Sequence, residues 1–233
     1  MERLFDKLHA VGSERLSFAP AFTGRAFLLR RRDGNILMYS SGCIADEAVA
    51  LLTHGEITRQ YINHHHQAMP SCDWISERFG APLFVPESEA RTVAEQCRVG
   101  GTFSGRGFQF PDFEMISIRG HSVGSTCFLW DDGTHRYLFT EDSVYLKDDA
   151  WTAAVLKSSD RQAYVQSLGL IRELDFDVLV PSMSNGSPIQ RTEPNHTKRS
   201  REWAKLGGRR ARVRLLERGG AYHGCAHCCR SNI

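Results

Sequence analysis

The sequence predicts a mixed α/β fold, with strands in two sheets or one large mixed sheet and helices outside. Three observations predict it. Asp33-Gly34 and Asp131-Asp132-Gly133 each sit between short apolar runs, the mark of a hairpin. Several apolar runs are four to six residues long, a strand length. Between them lie stretches with apolar residues at helical spacing.

The first hairpin joins Ala26-Phe27-Leu28-Leu29 to Ile36-Leu37-Met38-Tyr39. Residues 45–52 then read as a short helix, and Ile57 to Ile62 as a strand. Ser71 is placed to cap a helix carrying Trp74, Ile75 and Phe79, with Gly80 as its stop. Pro82 to Val85 reads as a buried strand. Glu87 to Cys97 reads as a helix, because Ala90, Val93, Ala94 and Cys97 form one apolar stripe, with Gly100-Gly101 ending it. Phe113 to Ile118 is a strand leading into Gly120-His121. The second hairpin pairs Cys127–Trp130 with Tyr137–Phe139. Ser159 or Asp160 caps a helix with Tyr164, Leu168 and Ile171 on one face. Phe176 to Val180 is a last strand, stopped by Pro181.

The chain of 233 residues is long enough for a sizeable core. No apolar run approaches the roughly 20 residues of a membrane span. The opening Met1-Glu2-Arg3-Leu4-Phe5-Asp6-Lys7 lacks a signal peptide's apolar stretch, which points to the cytoplasm. Cys43, Cys72, Cys97 and Cys127 lie in apolar contexts and read as buried thiols of a reducing compartment.

Charge divides the chain. Residues 191–233 carry 11 Lys/Arg against 3 Asp/Glu, whereas residues 1–190 carry 18 against 24. The expected organisation is one domain over 1–190 and a basic helical or flexible tail over 191–233. Arg199, Arg201, Arg209, Arg210, Arg212 and Arg214 have only Trp203 as aromatic company, so nucleic acid is not the expected partner. Cys225-Ala226-His227-Cys228-Cys229 holds one Cys-x-x-Cys without the second pair of a structural zinc site.

The chemistry-bearing residues follow the strands. His64-His65-His66 comes after the strand that begins at Ile57. In extended chain, residues i and i+2 share a side, so His64 and His66 are expected to face one point and His65 away from it. His121 follows a strand behind Gly120, and Asp142 follows Tyr137-Leu138-Phe139-Thr140. Neutral imidazoles and a carboxylate suit a divalent metal ion.

In this order the blocks resemble the metallo-β-lactamase superfamily, whose members carry His-x-His-x-Asp-His, Gly-His-[Ser/Thr]-x-Gly-Ser, Phe-Thr-Gly-Asp and Pro-Gly-His-Gly. Here Gly120-His121-Ser122-Val123-Gly124-Ser125 and Phe139-Thr140-Glu141-Asp142 are similar to the middle blocks. The resemblance covers roughly residues 20–185 and implies a four-layer αββα sandwich of two mixed β-sheets flanked by helices. Ala68, Met69 and Met183 stand where three further ligands belong, and Tyr39-Ser40-Ser41-Gly42 replaces Ile-Asp-x-Gly. Leu52-Thr53-His54-Gly55 imitates the first block, but Glu56 and Thr58 then stand in its ligand positions.

The resemblance therefore implies one metal ion on His64, His66, His121 and Asp142, zinc before iron or manganese. Three imidazoles with an open position lower the pKa of a bound water to roughly 7. The expected activity is hydrolysis of a small ester, thioester, lactone or amide. Asp142 either serves that water as proton acceptor or completes the ligand shell. Ser184, Asn185, His65 and Tyr145 are placed to aid an oxyanion. A non-haem iron dioxygenase acting on sulfur species is a related possibility. The alternative is a member of the fold without hydrolytic activity, acting in binding or regulation. The expected partner is a small molecule; no membrane is implied, and a homo-oligomer is compatible with the sequence.

Overall fold

A computed structural model describes residues 1–148 and 150–192. The expected basic tail and terminal cysteine cluster therefore lie outside the described residues, apart from the first two positions of the tail. The chain divides into two compact units, one over Met1–Phe103 and one beginning at Ser104.

The first unit is a mixed sheet with helices. Its strands are β1 (Glu2–Arg3), β2 (Leu8–Leu16), β3 (Ala19–Leu29), β4 (Asn35–Met38), β5 (Ile57–Tyr61), β6 (Leu83–Pro86) and β7 (Val99–Phe103). Neighbours in sequence are neighbours in the sheet. Pairing is antiparallel from β1 to β4 and parallel from β4 to β7. The switch follows from the connections. A hairpin turn reverses the chain between β3 and β4, whereas α1 (Ala48–Leu52), α2 (Ser71–Phe79) and α3 (Ala90–Val93) lie on the later crossovers. One core cluster packs Val11, Ala26, Leu28 and Leu37 with Ile44, Leu51, Ile57, Ile75 and Ala81.

Strand β2 is absent from the sequence reading. A register shift after Val11 breaks its period of two, and Gly12 there has φ +58. Two further expectations are corrected. Pro70, not Ser71, is the residue before α2, and no side chain caps that helix. Gly80 does stop it, with φ 70 and its N–H bonded to the Ser76 carbonyl. The expected helix over 87–97 is a 3₁₀ turn (Glu87–Glu89) followed by the single turn of α3. Ala94 is exposed, whereas Val93 and Cys97 of the stripe enter the core and Ala90 packs against it half-buried. Gly100 and Gly101 belong to β7, where the backbone runs so close to Pro82 and the Phe84 ring that a Cβ would collide with them.

The second unit holds a six-stranded sheet in the order β16 (Gln190–Arg191), β14 (Val178–Val180), β11 (Arg136–Phe139), β10 (Thr126–Asp131), β9 (Phe113–Ser117) and β8 (Arg106–Phe110). Only β11 and β14 pair in parallel. In addition, β12 (Tyr145–Lys147) pairs antiparallel with β13 (Ala150–Thr152) and parallel with β15 (Met183–Ser184). Helix α4 (Arg161–Glu173) buries Tyr164, Leu168 and Ile171, as its periodicity predicts. These pack with Ile116, Ile118, Cys127, Leu138, Leu146, Phe176 and Leu179 in one cluster. Of the two expected caps, Asp160 does the capping, with its carboxylate accepting from the amides of Gln162 and Ala163.

Candidate metal centre

His64 follows β5 in extended backbone, with φ −166 and ψ 169, and a 3₁₀ turn over His65–Gln67 begins at once. The sequence expectation of an extended His64-x-His66 is thus corrected. The chain turns between the two, and their ring centroids lie 4.6 Å apart at 80°. His64 is buried and its Nδ1 sits 3.0 Å from the Asn63 side-chain oxygen. That oxygen accepts, so Nδ1 carries the proton and Nε2 keeps the lone pair. This is the arrangement a ligating imidazole needs.

The loop that follows is anchored from several elements. The Ser40 hydroxyl donates to the Gln67 carbonyl, and the Cys97 thiol donates to the Met69 carbonyl at 3.2 Å. Ser40 stands where the family pattern has Asp. Ala68 packs with Ile62, Cys72, Leu83, Val85, Val93 and Cys97, and Met69 packs against the same cluster. Two of the three positions that lack a ligand are thus apolar core positions. The third, Met183, is buried in β15.

In the second unit, His121 and Asp142 are both buried. Gly120 precedes His121 with φ +135, where a Cβ would strike the backbone of Tyr164. A glycine is required there because α4 passes against the chain at that point. Ser167 Oγ donates to the Arg119 carbonyl at 2.7 Å, and Ser159 Oγ donates to the His121 carbonyl at 3.0 Å. Ser125 Oγ accepts from the Ser122 amide at 2.9 Å. The serines and glycine of the Gly-His-Ser block therefore shape the loop.

Asp142 lies in a 3₁₀ turn after β11, and the Thr140 hydroxyl donates to the Val144 carbonyl across that turn. Ala154 connects the two ligand positions. Its carbonyl accepts from His121 Nδ1 at 2.7 Å, and its amide donates to the Asp142 carbonyl at 3.3 Å. Sequence reasoning passed over Ala154, because a backbone contact leaves no signature in the residue type.

The Ala154 contact also fixes the chemistry of His121. A carbonyl only accepts, so the Nδ1 proton points at it and Nε2 faces Asp142 Oδ2 at 3.8 Å. A neutral imidazole would aim a lone pair at a carboxylate. A positive centre shared by the two atoms removes that conflict. His64 and His66 are thus candidate donors in the first unit, and His121 and Asp142 in the second, with His66 half-exposed and the other three buried.

The remaining candidates sit in local contacts of their own. The His54 ring packs on His9, with centroids 4.7 Å apart. Asn185 is tied to Asp148, accepting from its amide at 2.6 Å and donating to its carboxylate at 2.7 Å. Ser184 Oγ donates to the Gly186 carbonyl. His65 is held by Glu89, a buried carboxylate that the sequence reading missed within an expected helix. Tyr145 is buried in β12.

The sequence matches no protein-family model and no curated protein sequence. Solved structures give the relationship instead. A metallo-β-lactamase from Pontibacter korlensis superposes with a TM-score of 0.68 at 15% identity, over 88% of this chain and 97% of the other. The chain has the metallo-β-lactamase fold. An archaeal protein of that superfamily from Sulfolobus tokodaii gives a TM-score of 0.62 at 14% identity, over 91% of each chain. A class B3 di-zinc metallo-β-lactamase from an Alaskan soil metagenome gives 0.59 at 18%, over 88% of this chain and 90% of the other. Two mixed sheets with helices, as the sequence implies, are consistent with this fold.

Proposed function

We propose that this chain is a mononuclear metal-dependent hydrolase of a small ester, thioester, lactone or amide. The observation that carries the reading is the donor set. His64 and His66 in the first unit, and His121 and Asp142 in the second, each offer one ligand atom. Three imidazole nitrogens and one carboxylate oxygen suit zinc first, and iron or manganese as well. A divalent ion held there would polarise a substrate carbonyl and acidify a water.

The chain's own residues supply the rest. Asn63 and Ala154 hold the Nδ1 protons of His64 and His121, which leaves both Nε2 atoms as donors. Asp142 would either complete the ligand shell or orient the attacking water and take its proton. One ion rather than two fits the packing of Ala68 and Met69 into apolar core. A di-zinc enzyme of the same fold is known from the soil-metagenome structure, so loss of the second ion changes the catalytic problem. Charge on the leaving group must then be met by protein donors.

The reading also takes a small-molecule substrate, a cytoplasmic location and no membrane or nucleic-acid partner; a homo-oligomer is compatible with it. No helix among the described residues is long and apolar enough to cross a membrane.

The test is metal content and hydrolysis of an ester, thioester, lactone and amide panel, for the purified chain and for His64→Ala. One bound ion and turnover, both lost in the variant, are expected. One ion without turnover of any substrate in the panel would favour the binding or regulatory alternative.

A further inference from the structure

The middle histidine of the run has no place in the donor set, yet it is anchored. Glu89 Oε2 accepts from the His65 backbone amide at 2.5 Å and from His65 Nδ1 at 3.0 Å. Glu89 is only 2% exposed. Burying a carboxylate this far is costly unless its partners compensate. Glu89 stands at the start of α3, where an acidic side chain can cap the helix, but it makes no capping bond there. Its carboxylate reaches instead across the unit to the one residue that lies between His64 and His66.

We infer that Glu89 is a positioning residue of the metal loop, holding the turn that carries His64 and His66. The inference rests on the metal reading above. His64 is extended and the 3₁₀ turn begins at His65, so the His65 amide marks the point where the chain changes direction. An acceptor fixed at that amide sets the angle between the flanking imidazoles. The second bond, to Nδ1, fixes the orientation of the His65 ring beside His66. Further along the same segment, Cys97 fixes the Met69 carbonyl, so residues 87–97 hold the loop at two points.

The experiment measures zinc affinity by chelator competition, and the visible spectrum of the cobalt-substituted protein. It uses the full chain and the variants Glu89→Ala, Glu89→Gln, Glu89→Asp and His64→Ala. Glu89→Ala is expected to bind zinc roughly 10–100-fold more weakly, with an altered cobalt spectrum. Glu89→Gln keeps an amide oxygen for the His65 amide and recovers most of the affinity and the wild-type spectrum. Glu89→Asp withdraws the carboxylate by one methylene and loses about tenfold, which serves if the alanine variant does not fold. A role confined to stability would lower the melting temperature but leave zinc affinity and the cobalt spectrum unchanged.

Wild-type affinity and spectrum in Glu89→Ala and Glu89→Asp would overturn the inference, provided the native chain binds zinc and His64→Ala does not. A native chain that binds no zinc overturns the metal reading first, and the role of Glu89 with it.

Discussion

At the scale of single residues, the site depends on groups that are not ligands. Gly120 shows this most directly. Its φ of +135 and the Tyr164 backbone beside it leave no room for a Cβ. Gly120→Ala should destabilise the second unit by about 2–3 kcal/mol, read from urea unfolding. An unchanged midpoint would mean that α4 and the His121 loop separate readily. His9 provides an independent test of the first unit. Burial lowers its pKa to about 4, helped by His54, Arg30 and Arg3, while Asp6 opposes them. The folded state therefore holds His9 neutral in a range where the unfolded chain binds a proton, near pH 6.5 and below. Its contribution to stability is fully present above about pH 6.5 and is lost as pH falls towards about 4. His9→Leu should flatten the stability profile across that window. A variant with the same slope as wild type would show that another group titrates there.

At the scale of elements, each candidate metal loop is held by the elements around it. Asp160 caps α4, the helix that runs against Gly120. Removing its carboxylate with Asp160→Ala should cost about 1 kcal/mol, and Asp160→Asn much less. Equal losses in both variants would mean that charge, not the two amide bonds, is what Asp160 supplies. Elements are also where the sequence was most and least legible. The hairpins, β5 and α4 follow from local signals, because a tight turn or an amphipathic stripe is written in adjacent residues. Strand β2 was hidden by the bulge at Gly12. The run from Glu87 to Cys97 carried a helical stripe, yet only α3 forms a single turn there. Glu89 gives its carboxylate to His65, and the chain is already turning into β7 by Val99. The candidate ligands could be picked out because imidazole and carboxylate must be written as side chains. The partners that orient them were not, since the Ala154 carbonyl and the Asn63 amide become meaningful only once the chain is folded.

At the scale of the whole molecule, the fold is that of the metallo-β-lactamases while three of the pattern's ligand positions hold Ala68, Met69 and Met183. Ala68 and Met69 are part of an apolar cluster, so reinstating ligands there would place polar groups in the core. The double variant Ala68→Asp, Met69→His should lose about 2–4 kcal/mol and gain no second ion. Metal binding should also stabilise the whole chain by mass action. At free zinc a hundredfold above Kd, the gain of about 2.7 kcal/mol raises the melting temperature by roughly 5–10 °C, and a chelator should reverse it. The most direct test of the central claim is metal stoichiometry by elemental analysis of the purified chain and of His121→Ala. The account predicts one ion per native chain and none in the variant. Two ions per native chain, or less than about a tenth of one in both proteins, would contradict it.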